Sequence, residues 1–191
     1  MENRDRLLNV AAAIIVAAGL VMIIMTGRHS SGVQISEPGE SEPAVSAGSV
    51  AADFKLEALD GHTVSLQSLR GKVVFLNVWA SWCGPCREEM PSMQTLYETF
   101  KNNPNFVMLA VSQDTQGRKS VAPYIEKNGY GFTVLLDPEN QVGESYDVSG
   151  VPETFIIDQQ GKIAAHHMGP YDWSRADVKQ ALQELIDSKK G

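Results

Sequence analysis

The feature that most constrains the fold of this chain is a pair of cysteines between a strand-like and a helix-like segment. The only two cysteines lie in Trp82-Cys83-Gly84-Pro85-Cys86. Residues 73–79, before the motif, are almost entirely apolar and do not alternate, which is typical of a central strand covered on both faces. Residues 85–100, after it, carry apolar side chains at helical spacing. The sequence therefore predicts a strand, a tight turn and a helix that begins at the cysteines.

Two cysteines at such a turn favour redox chemistry. Cys83 would lie at the helix N-terminus, where free backbone N–H groups and the helix dipole stabilise a thiolate. Cys83 is therefore the candidate nucleophile, and Cys86 can attack the mixed disulfide that Cys83 forms with a partner. Gly84 and Pro85 fix the spacing and leave Cys83 accessible. We expect no cofactor beyond a redox-active Cys83–Cys86 disulfide.

Metal binding and a purely structural disulfide are the alternatives for these cysteines. A zinc site usually needs four ligands, but the sequence has no second Cys-x-x-Cys and no histidine pair at zinc-finger spacing. His166 and His167 are adjacent, so a strand would point them in different directions. A disulfide that closes so short a loop restricts the unfolded chain little. Met90 and Met93 could bind soft metals, but their helical spacing favours the core, and we predict no metal site.

The chain before the cysteines predicts a membrane anchor and a tether. Residues 7–25 are apolar except for one asparagine and approach the roughly 20 residues that a membrane-spanning helix needs. A cleaved signal peptide is the alternative, but no convincing small-x-small cleavage site follows the apolar run. Residues 26–52 are rich in Ser, Gly, Pro and Glu and predict a flexible linker. Residues 53–191 then form the redox domain.

The charge pattern gives an expected location. Arg4 and Arg6 precede the apolar run, and the positive-inside rule then favours a cytoplasmic N-terminus. We therefore expect a single-pass protein of the inner (cytoplasmic) membrane with its redox domain on the extracytoplasmic, periplasmic side. The net charge of −7, without a basic cluster, argues against nucleic-acid binding.

The domain alternates between strand-like and helix-like segments. Asp60-Gly61 lies between two alternating runs and predicts a β-hairpin of residues 54–59 and 62–66. Strand-helix alternation and a terminal hairpin and helix then indicate an α/β sandwich. The remaining predicted elements are strands at 106–111, 132–136, 154–157 and 163–167, and helices at 119–128, 139–146 and 174–188.

Two motifs carry a family resemblance. Trp82-Cys83-Gly84-Pro85-Cys86, together with the later run Gly150-Val151-Pro152-Glu153-Thr154-Phe155-Ile156-Ile157-Asp158, resembles the thioredoxin fold and its TlpA/ResA/DsbE (CcmG) group of membrane-anchored thiol-disulfide oxidoreductases. The resemblance covers the whole domain and implies a central mixed sheet, an N-terminal β-hairpin and an extra strand-helix insertion at about residues 115–128.

The resemblance also implies roles for individual residues. Pro152 matches the cis-proline that faces the dithiol, and Val151 would offer backbone hydrogen bonds to an extended substrate. Trp82, Gly84 and Pro85 complete the substrate-binding surface, with Trp82 shielding the dithiol.

Two acidic residues are candidates beside the dithiol. Thioredoxin carries a buried aspartate where this chain has Asn77, and asparagine cannot titrate. Glu89 could replace it as the proton acceptor for Cys86, the alternative being a solvated helix residue. Glu153 follows the proline and could influence substrate specificity, although a solvated charge at a strand edge is an equal alternative.

The function implied is reduction of disulfides in client proteins. By resemblance, the client is apocytochrome c during cytochrome c maturation, and the electron donor is a membrane thiol transporter of the CcdA/DsbD type. A general disulfide oxidase or isomerase is the main alternative, and a reduction potential would distinguish it. A peroxidase of the related peroxiredoxin fold and a copper-handling metallochaperone that uses the same dithiol are further alternatives.

Overall fold

The computed structural model of the chain describes residues 47–188. This part contains seven strands and four α-helices, with a 3-10 helix (Leu66–Leu69) after the second strand. The strands are β1 (Lys55–Ala58), β2 (Thr63–Ser65), β3 (Val73–Trp79), β4 (Phe106–Ser112), β5 (Thr133–Leu136), β6 (Glu153–Ile157) and β7 (Ile163–Met168). The helices are α1 (Gly84–Phe100), α2 (Arg118–Asn128), α3 (Gln141–Ser145) and α4 (Ala176–Asp187).

All seven strands form one mixed sheet in the order β2-β1-β5-β4-β3-β6-β7. β3 pairs in parallel with β4, and β4 pairs in parallel with β5. β6 and β7 extend the sheet antiparallel on one side, and the β1–β2 hairpin adds to β5 on the other. The predicted α/β sandwich with a mixed sheet and an N-terminal hairpin is confirmed, and α2 occupies the predicted insertion.

β3 forms the centre of two apolar clusters, one on each face of the sheet. All seven of its residues are buried, which explains why the strand is apolar without alternation. Phe75 and Trp79 face the cluster that α1 covers, and Met90 and Met93 pack there without exposure. Burial of each such side chain stabilises the fold by about 1.5–3 kcal/mol. The two methionines are therefore core residues, as their spacing predicts.

The N-terminal hairpin differs slightly from its prediction. Gly61 has φ +96° at the turn, a conformation that favours glycine, as the Asp-Gly pair predicts. The second strand ends at Ser65 rather than residue 66, because Ser65 caps the 3-10 helix. The Ser68 hydroxyl donates to the Ser65 carbonyl at 2.6 Å, and the Ser68 N–H donates to the Ser65 hydroxyl at 3.3 Å. Local side-chain bonding thus ends the strand.

The predicted anchor at residues 7–25 lies outside the described residues, as does most of the predicted linker. Residues 48–51 are described and are bonded to the start of β7, with Gly48 N–H donating to the Ile163 carbonyl at 2.7 Å. The folded part of the chain therefore includes residues as early as 48.

The predicted membrane location needs a correction. Within residues 47–188, no helix combines the length and the apolar character needed to cross a membrane. A single-pass membrane protein with an outward-facing redox domain is thus not supported by the structure, and we withdraw that prediction.

Candidate active site

The two cysteines form a disulfide at the junction between β3 and α1. Cys83 is the N-cap residue of α1, and its sulfur accepts the backbone N–H of Cys86 at 3.1 Å. The same N–H would stabilise a Cys83 thiolate after reduction. Cys83 is 5% exposed and Cys86 is fully buried. This asymmetry makes Cys83 the sulfur that a partner reaches first, in line with its predicted role as nucleophile.

Asp114 fixes the turn before the cysteines, and the sequence pattern did not single it out. Its buried carboxylate accepts the backbone N–H of Ser81 at 2.8 Å and the Ser81 hydroxyl at 2.6 Å. The Ser112 hydroxyl, at the end of β4, donates to the same carboxylate at 2.7 Å. The turn that presents the dithiol is therefore tied to the neighbouring strand. Only the parallel pairing of β3 with β4 brings these residues together.

The segment that faces the dithiol precedes β6. The Val151–Pro152 peptide bond is cis, which confirms the prediction for this proline. The Val151 carbonyl oxygen lies 3.5 Å from the Cys83 sulfur. We call residues 149–152 the docking loop. Its partly exposed Val151 leaves backbone groups beside Cys83 for an extended peptide, although substrate contact by this loop stays a prediction.

Two large apolar side chains are exposed around the dithiol and the docking loop. Trp82 is 69% exposed beside Cys83, and Met168 is 66% exposed at the end of β7. Met168 is connected to the docking loop, because the next residue, Gly169, donates its N–H to the Pro152 carbonyl at 2.8 Å. Gly84 is partly exposed and Pro85 is exposed on the same turn as Trp82. Substrate contact by Trp82, Gly84 and Pro85 stays a prediction, and the sequence analysis did not single out the exposed Met168.

Glu89 lies on α1, one turn beyond Cys86, and is 3% exposed. Its carboxylate accepts the Asn77 side-chain N–H at 2.9 Å, the Tyr171 backbone N–H at 3.1 Å and the Trp173 indole N–H at 3.1 Å. Burial raises the pKa of Glu89, and the hydrogen bonds from Trp173, Asn77 and Tyr171 counteract part of that rise. A buried carboxyl with a raised pKa suits proton exchange, and the role of Glu89 as the proton acceptor for Cys86 stays a prediction.

Asn77 is buried between two partners. Its side-chain nitrogen donates to Glu89 and also to the Thr154 hydroxyl, each at 2.9 Å. Its side-chain oxygen is buried without a hydrogen-bond partner among the described residues. Asn77 therefore supports the ionised form of Glu89 and does not titrate itself.

The loop between β7 and α4 closes the Glu89 site, and the sequence analysis did not predict this. The Trp173 backbone N–H donates to the Ser92 hydroxyl at 3.0 Å, and that hydroxyl donates to the Glu89 carbonyl at 2.7 Å. The Trp173 ring packs edge-on against Phe75, with ring centroids 4.9 Å apart. In the sequence, the only indication of this role for Trp173 is that a large aromatic residue lies in a loop that contains glycine and proline.

Glu153 is 2% exposed, so it is not a solvated charge at the strand edge. It pairs with Val78, whereas the adjacent Thr154 pairs with Asn77. Because side chains alternate along a strand, Glu153 lies on the sheet face opposite Glu89. Its carboxylate bonds to the docking loop and to His166. Direct contact of Glu153 with substrate stays a prediction.

The two histidines of β7 lie on opposite faces, as their adjacency predicts. His166 stacks on Phe155, with ring centroids 4.3 Å apart, and His167 contacts Tyr171 at 4.7 Å. Within residues 47–188, the structure places no three His, Cys, Asp or Glu side chains so that they could hold a metal ion.

A Cys-x-x-Cys disulfide at a helix N-terminus, opposite a cis-proline, defines the class of thioredoxin-like redox proteins. The sequence profile described as "AhpC/TSA family" matches residues 47–166. The thiol-disulfide oxidoreductase ResA of Geobacillus kaustophilus (strain HTA426) is 37% identical over 142 residues, which cover 74% of this chain and 79% of that protein. The thioredoxin-like protein YneN of Bacillus subtilis (strain 168) is 32% identical over 170 residues, with coverages of 89% and 95%.

A solved structure agrees with these relatives. A thiol:disulfide interchange protein DsbE from Chlorobium tepidum matches with a TM-score of 0.63 and 35% identity, over 74% of this chain and 96% of that chain. The protein therefore belongs to the AhpC/TSA family and is a thioredoxin-fold thiol-disulfide oxidoreductase of the ResA and DsbE type. The predicted enzyme class is confirmed.

Proposed function

We propose that this oxidoreductase reduces disulfide bonds in client proteins. The observation that carries the proposal is the Val151 carbonyl 3.5 Å from the Cys83 sulfur. An extended polypeptide that pairs with the docking loop would place its own disulfide against Cys83. The exposed side chains of Trp82 and Met168 add apolar contact area on either side.

The reaction transfers two electrons from the enzyme dithiol to the client disulfide. The Cys83 thiolate attacks one client sulfur and forms a mixed disulfide with it. The other client sulfur is released as a thiolate. Cys86 loses its proton to Glu89, and its thiolate attacks the Cys83 sulfur. The client leaves as a dithiol after it takes up two protons, and the enzyme is left with the Cys83–Cys86 disulfide. A thiol donor must then reduce this disulfide before another turnover.

The client class follows from the family resemblance. We propose apocytochrome c, whose two haem-binding cysteines must be reduced before haem attachment, and a thiol transporter of the CcdA/DsbD type as the electron donor. The ResA and DsbE relatives support a thiol-disulfide exchange partner in general. An oxidised peptide with Cys-x-x-Cys-His, compared with one that has more distant cysteines, tests this client: equal rates with both peptides would contradict it.

Trapping tests the reductase activity directly. In Cys86→Ala, Cys83 attacks the client but nothing resolves the mixed disulfide, so a covalent client complex should accumulate. The matched Cys83→Ala variant should trap no client, because the buried Cys86 remains. A Cys86→Ala protein that forms no mixed disulfide with client proteins in cells would contradict the proposal.

The reduction potential tests the direction of electron flow. A reductase should lie near thioredoxin, at about −270 mV, whereas an oxidase should lie near DsbA, at about −120 mV. Equilibration of Cys83 and Cys86 with glutathione or dithiothreitol buffers measures it. A potential at the DsbA end would replace the reductase proposal with the oxidase alternative.

A further inference from the structure

Glu153 and His166 form a partly buried contact that the dithiol chemistry does not use. The Glu153 carboxylate is 2% exposed and lies on the sheet face opposite Glu89, so it is separated from the cysteines by β3 and β6. Removing a charged group from water costs several kcal/mol unless its hydrogen bonds are satisfied. The partners of this carboxylate therefore indicate why an acidic residue is placed here.

One oxygen of Glu153 is occupied entirely by the docking loop. Oε1 accepts the backbone N–H of Ser149 at 2.8 Å, the Ser149 hydroxyl at 2.9 Å and the backbone N–H of Gly150 at 3.2 Å. Three donors on one oxygen fix the direction of the chain immediately before Val151. A hydroxyl or an apolar side chain at position 153 could not accept all three.

The other oxygen is held by β7. Oε2 lies 2.8 Å from Nε2 of His166, and in the tautomer that carries its hydrogen on Nε2 the ring donates to this oxygen. The His166 ring stacks on Phe155 with 11° between the planes, so its own orientation is fixed. The His166 side chain is 25% exposed, whereas Glu153 is enclosed.

A series of contacts connects Glu153 and His166 to the sulfur of Cys83. Glu153 holds Ser149 and Gly150, Val151 follows directly, and the Val151 carbonyl lies 3.5 Å from Cys83. On the far side, Gly169 holds the Pro152 carbonyl at 2.8 Å. The docking loop is thus fixed at both ends, and on the Glu153 side its backbone N–H groups donate to a side-chain carboxylate.

We propose that Glu153 and His166 are positioning residues that hold the docking loop in the geometry required to bind the extended backbone of a polypeptide substrate. This inference rests on the proposed function, because it concerns how that substrate docks. The pair acts through the loop and leaves the intrinsic reactivity of the dithiol unchanged.

Two disulfide substrates distinguish an effect on peptide binding from an effect on the reactivity of the dithiol. One is a peptide with several residues on each side of its disulfide, and the other is 5,5′-dithiobis(2-nitrobenzoic acid), which has no peptide backbone. His166→Phe keeps a ring to stack on Phe155 but loses the N–H donor. We expect its KM for the peptide to rise about tenfold, which corresponds to about 1.4 kcal/mol of binding, with kcat unchanged. Its rate with the small disulfide and its reduction potential should equal those of the wild type.

Glu153 variants provide the rescue test. Glu153→Leu should raise the peptide KM more than His166→Phe, because the loop donors lose their acceptor. Glu153→Gln should restore most of the affinity, since its amide oxygen can still accept from Ser149 and Gly150. His62→Phe is the matched control, because the exposed His62 lies in the turn of the N-terminal hairpin and its described hydrogen bonds are to Asp60. Its peptide KM should equal that of the wild type.

The outcomes are distinct. An equal loss of activity with the peptide and with the small disulfide would show that the pair supports the dithiol itself, and it would overturn the proposal. An unchanged peptide KM in His166→Phe would also overturn it. The partly exposed His166 site allows this test even if Glu153→Leu does not fold. Failure of the proposed function looks different: the wild-type enzyme itself would then not reduce the peptide disulfide.

Discussion

Glu89 and Glu153 are two buried carboxylates on opposite faces of the same sheet, and their partners give them different capacities. Glu89 is held by three donors from two segments, namely Asn77 on β3 and the Tyr171 and Trp173 N–H groups of the loop after β7. Glu153 is held by two backbone N–H groups three or four residues away, by the Ser149 hydroxyl and by His166. Glu89 lies beside Cys86 on α1, whereas Glu153 lies behind the docking loop.

Burial alone does not define a role for a carboxylate. Burial raises the pKa of Glu89, so this carboxyl keeps its proton to a higher pH than a solvated glutamate does. Glu153 instead uses its acceptor capacity to fix a loop. We therefore expect substitutions around Glu89 to change pH dependence and substitutions around Glu153 to change substrate affinity.

The largest effect on the titration of the buried site should come from a second carboxylate beside Glu89. Asn77→Asp replaces the amide that donates to Glu89 at 2.9 Å, so two acids would share one buried site. They cannot both ionise easily, and the pair should titrate in two separated steps, the upper one above the pKa of Glu89 alone. Each unit of separation corresponds to about 1.4 kcal/mol. Carboxyl NMR titration measures this, and a single unshifted titration would contradict the assigned contact.

The exposed Asn102→Asp variant is the matched control for that substitution. It adds the same charge at a solvated position, so its unfolding free energy should depend on pH almost as in the wild type. Asn77→Asp, in contrast, should lose stability steeply as the pH rises.

Glu89→Gln should have the next largest effect. If Glu89 takes the Cys86 proton, resolution of the mixed disulfide should slow by about a hundredfold, since general bases typically contribute that much or more. Stopped-flow measurement of client release checks this. The neighbouring exposed Glu88→Gln is the control, and equal rates in both variants would exclude Glu89 as the proton acceptor.

The same variant has a defined stability signature. Because the pKa of Glu89 is raised in the folded protein, the stability contributed by its protonated form is complete below the unfolded-state pKa. That stability is lost as the pH rises through the folded-state pKa. Glu89→Gln lacks this loss, so its unfolding free energy should improve relative to the wild type between pH 4 and pH 8. Denaturant titrations at both pH values measure the difference.

Trp173→Phe should also change the pH dependence of stability, but less than Glu89→Gln does. It removes the indole N–H that helps to lower the pKa of Glu89, so that pKa should rise further. The ionised carboxylate loses one of three donors, which should cost about 1–3 kcal/mol of stability at high pH. Tyr171→Phe is the control, because Tyr171 contacts Glu89 through its backbone. Identical titration of Glu89 in both variants would contradict the contribution of Trp173.

Thr154→Val should have the smallest effect. The hydroxyl accepts from Asn77 at 2.9 Å but does not touch Glu89 in the described hydrogen bonds. Loss of this bond should reduce the unfolding free energy by about 0.5–1.5 kcal/mol, and the pH profile should stay close to that of the wild type. Thr154→Ser keeps the hydroxyl and should recover much of the loss. A large shift in the profile would mean that Thr154 belongs to the proton-transfer site.

The strand, turn and helix around the cysteines were predictable because their signals are local. The apolar run of β3, the Asp60-Gly61 turn and the helical spacing of Met90 and Met93 each act over a few residues. Element ends were less accurate, because the 3-10 helix after β2 depends on hydrogen bonds between Ser65 and Ser68. The same locality explains why the dithiol was identified from its neighbours, whereas Pro152 was assigned through the family resemblance.

By itself, the sequence determined a dithiol at a helix N-terminus and a central strand buried on both faces, and the family resemblance of its motifs implied a proline that faces the cysteines. The tertiary structure alone decided the environment of the two carboxylates. Trp173 reaches Glu89 across 84 residues of chain, and His166 reaches Glu153 across 13 residues through the β6–β7 pairing. The reason is physical: local spacing sets strands, helices and turns, whereas desolvation and hydrogen bonding of a buried charge depend on every segment that packs around it.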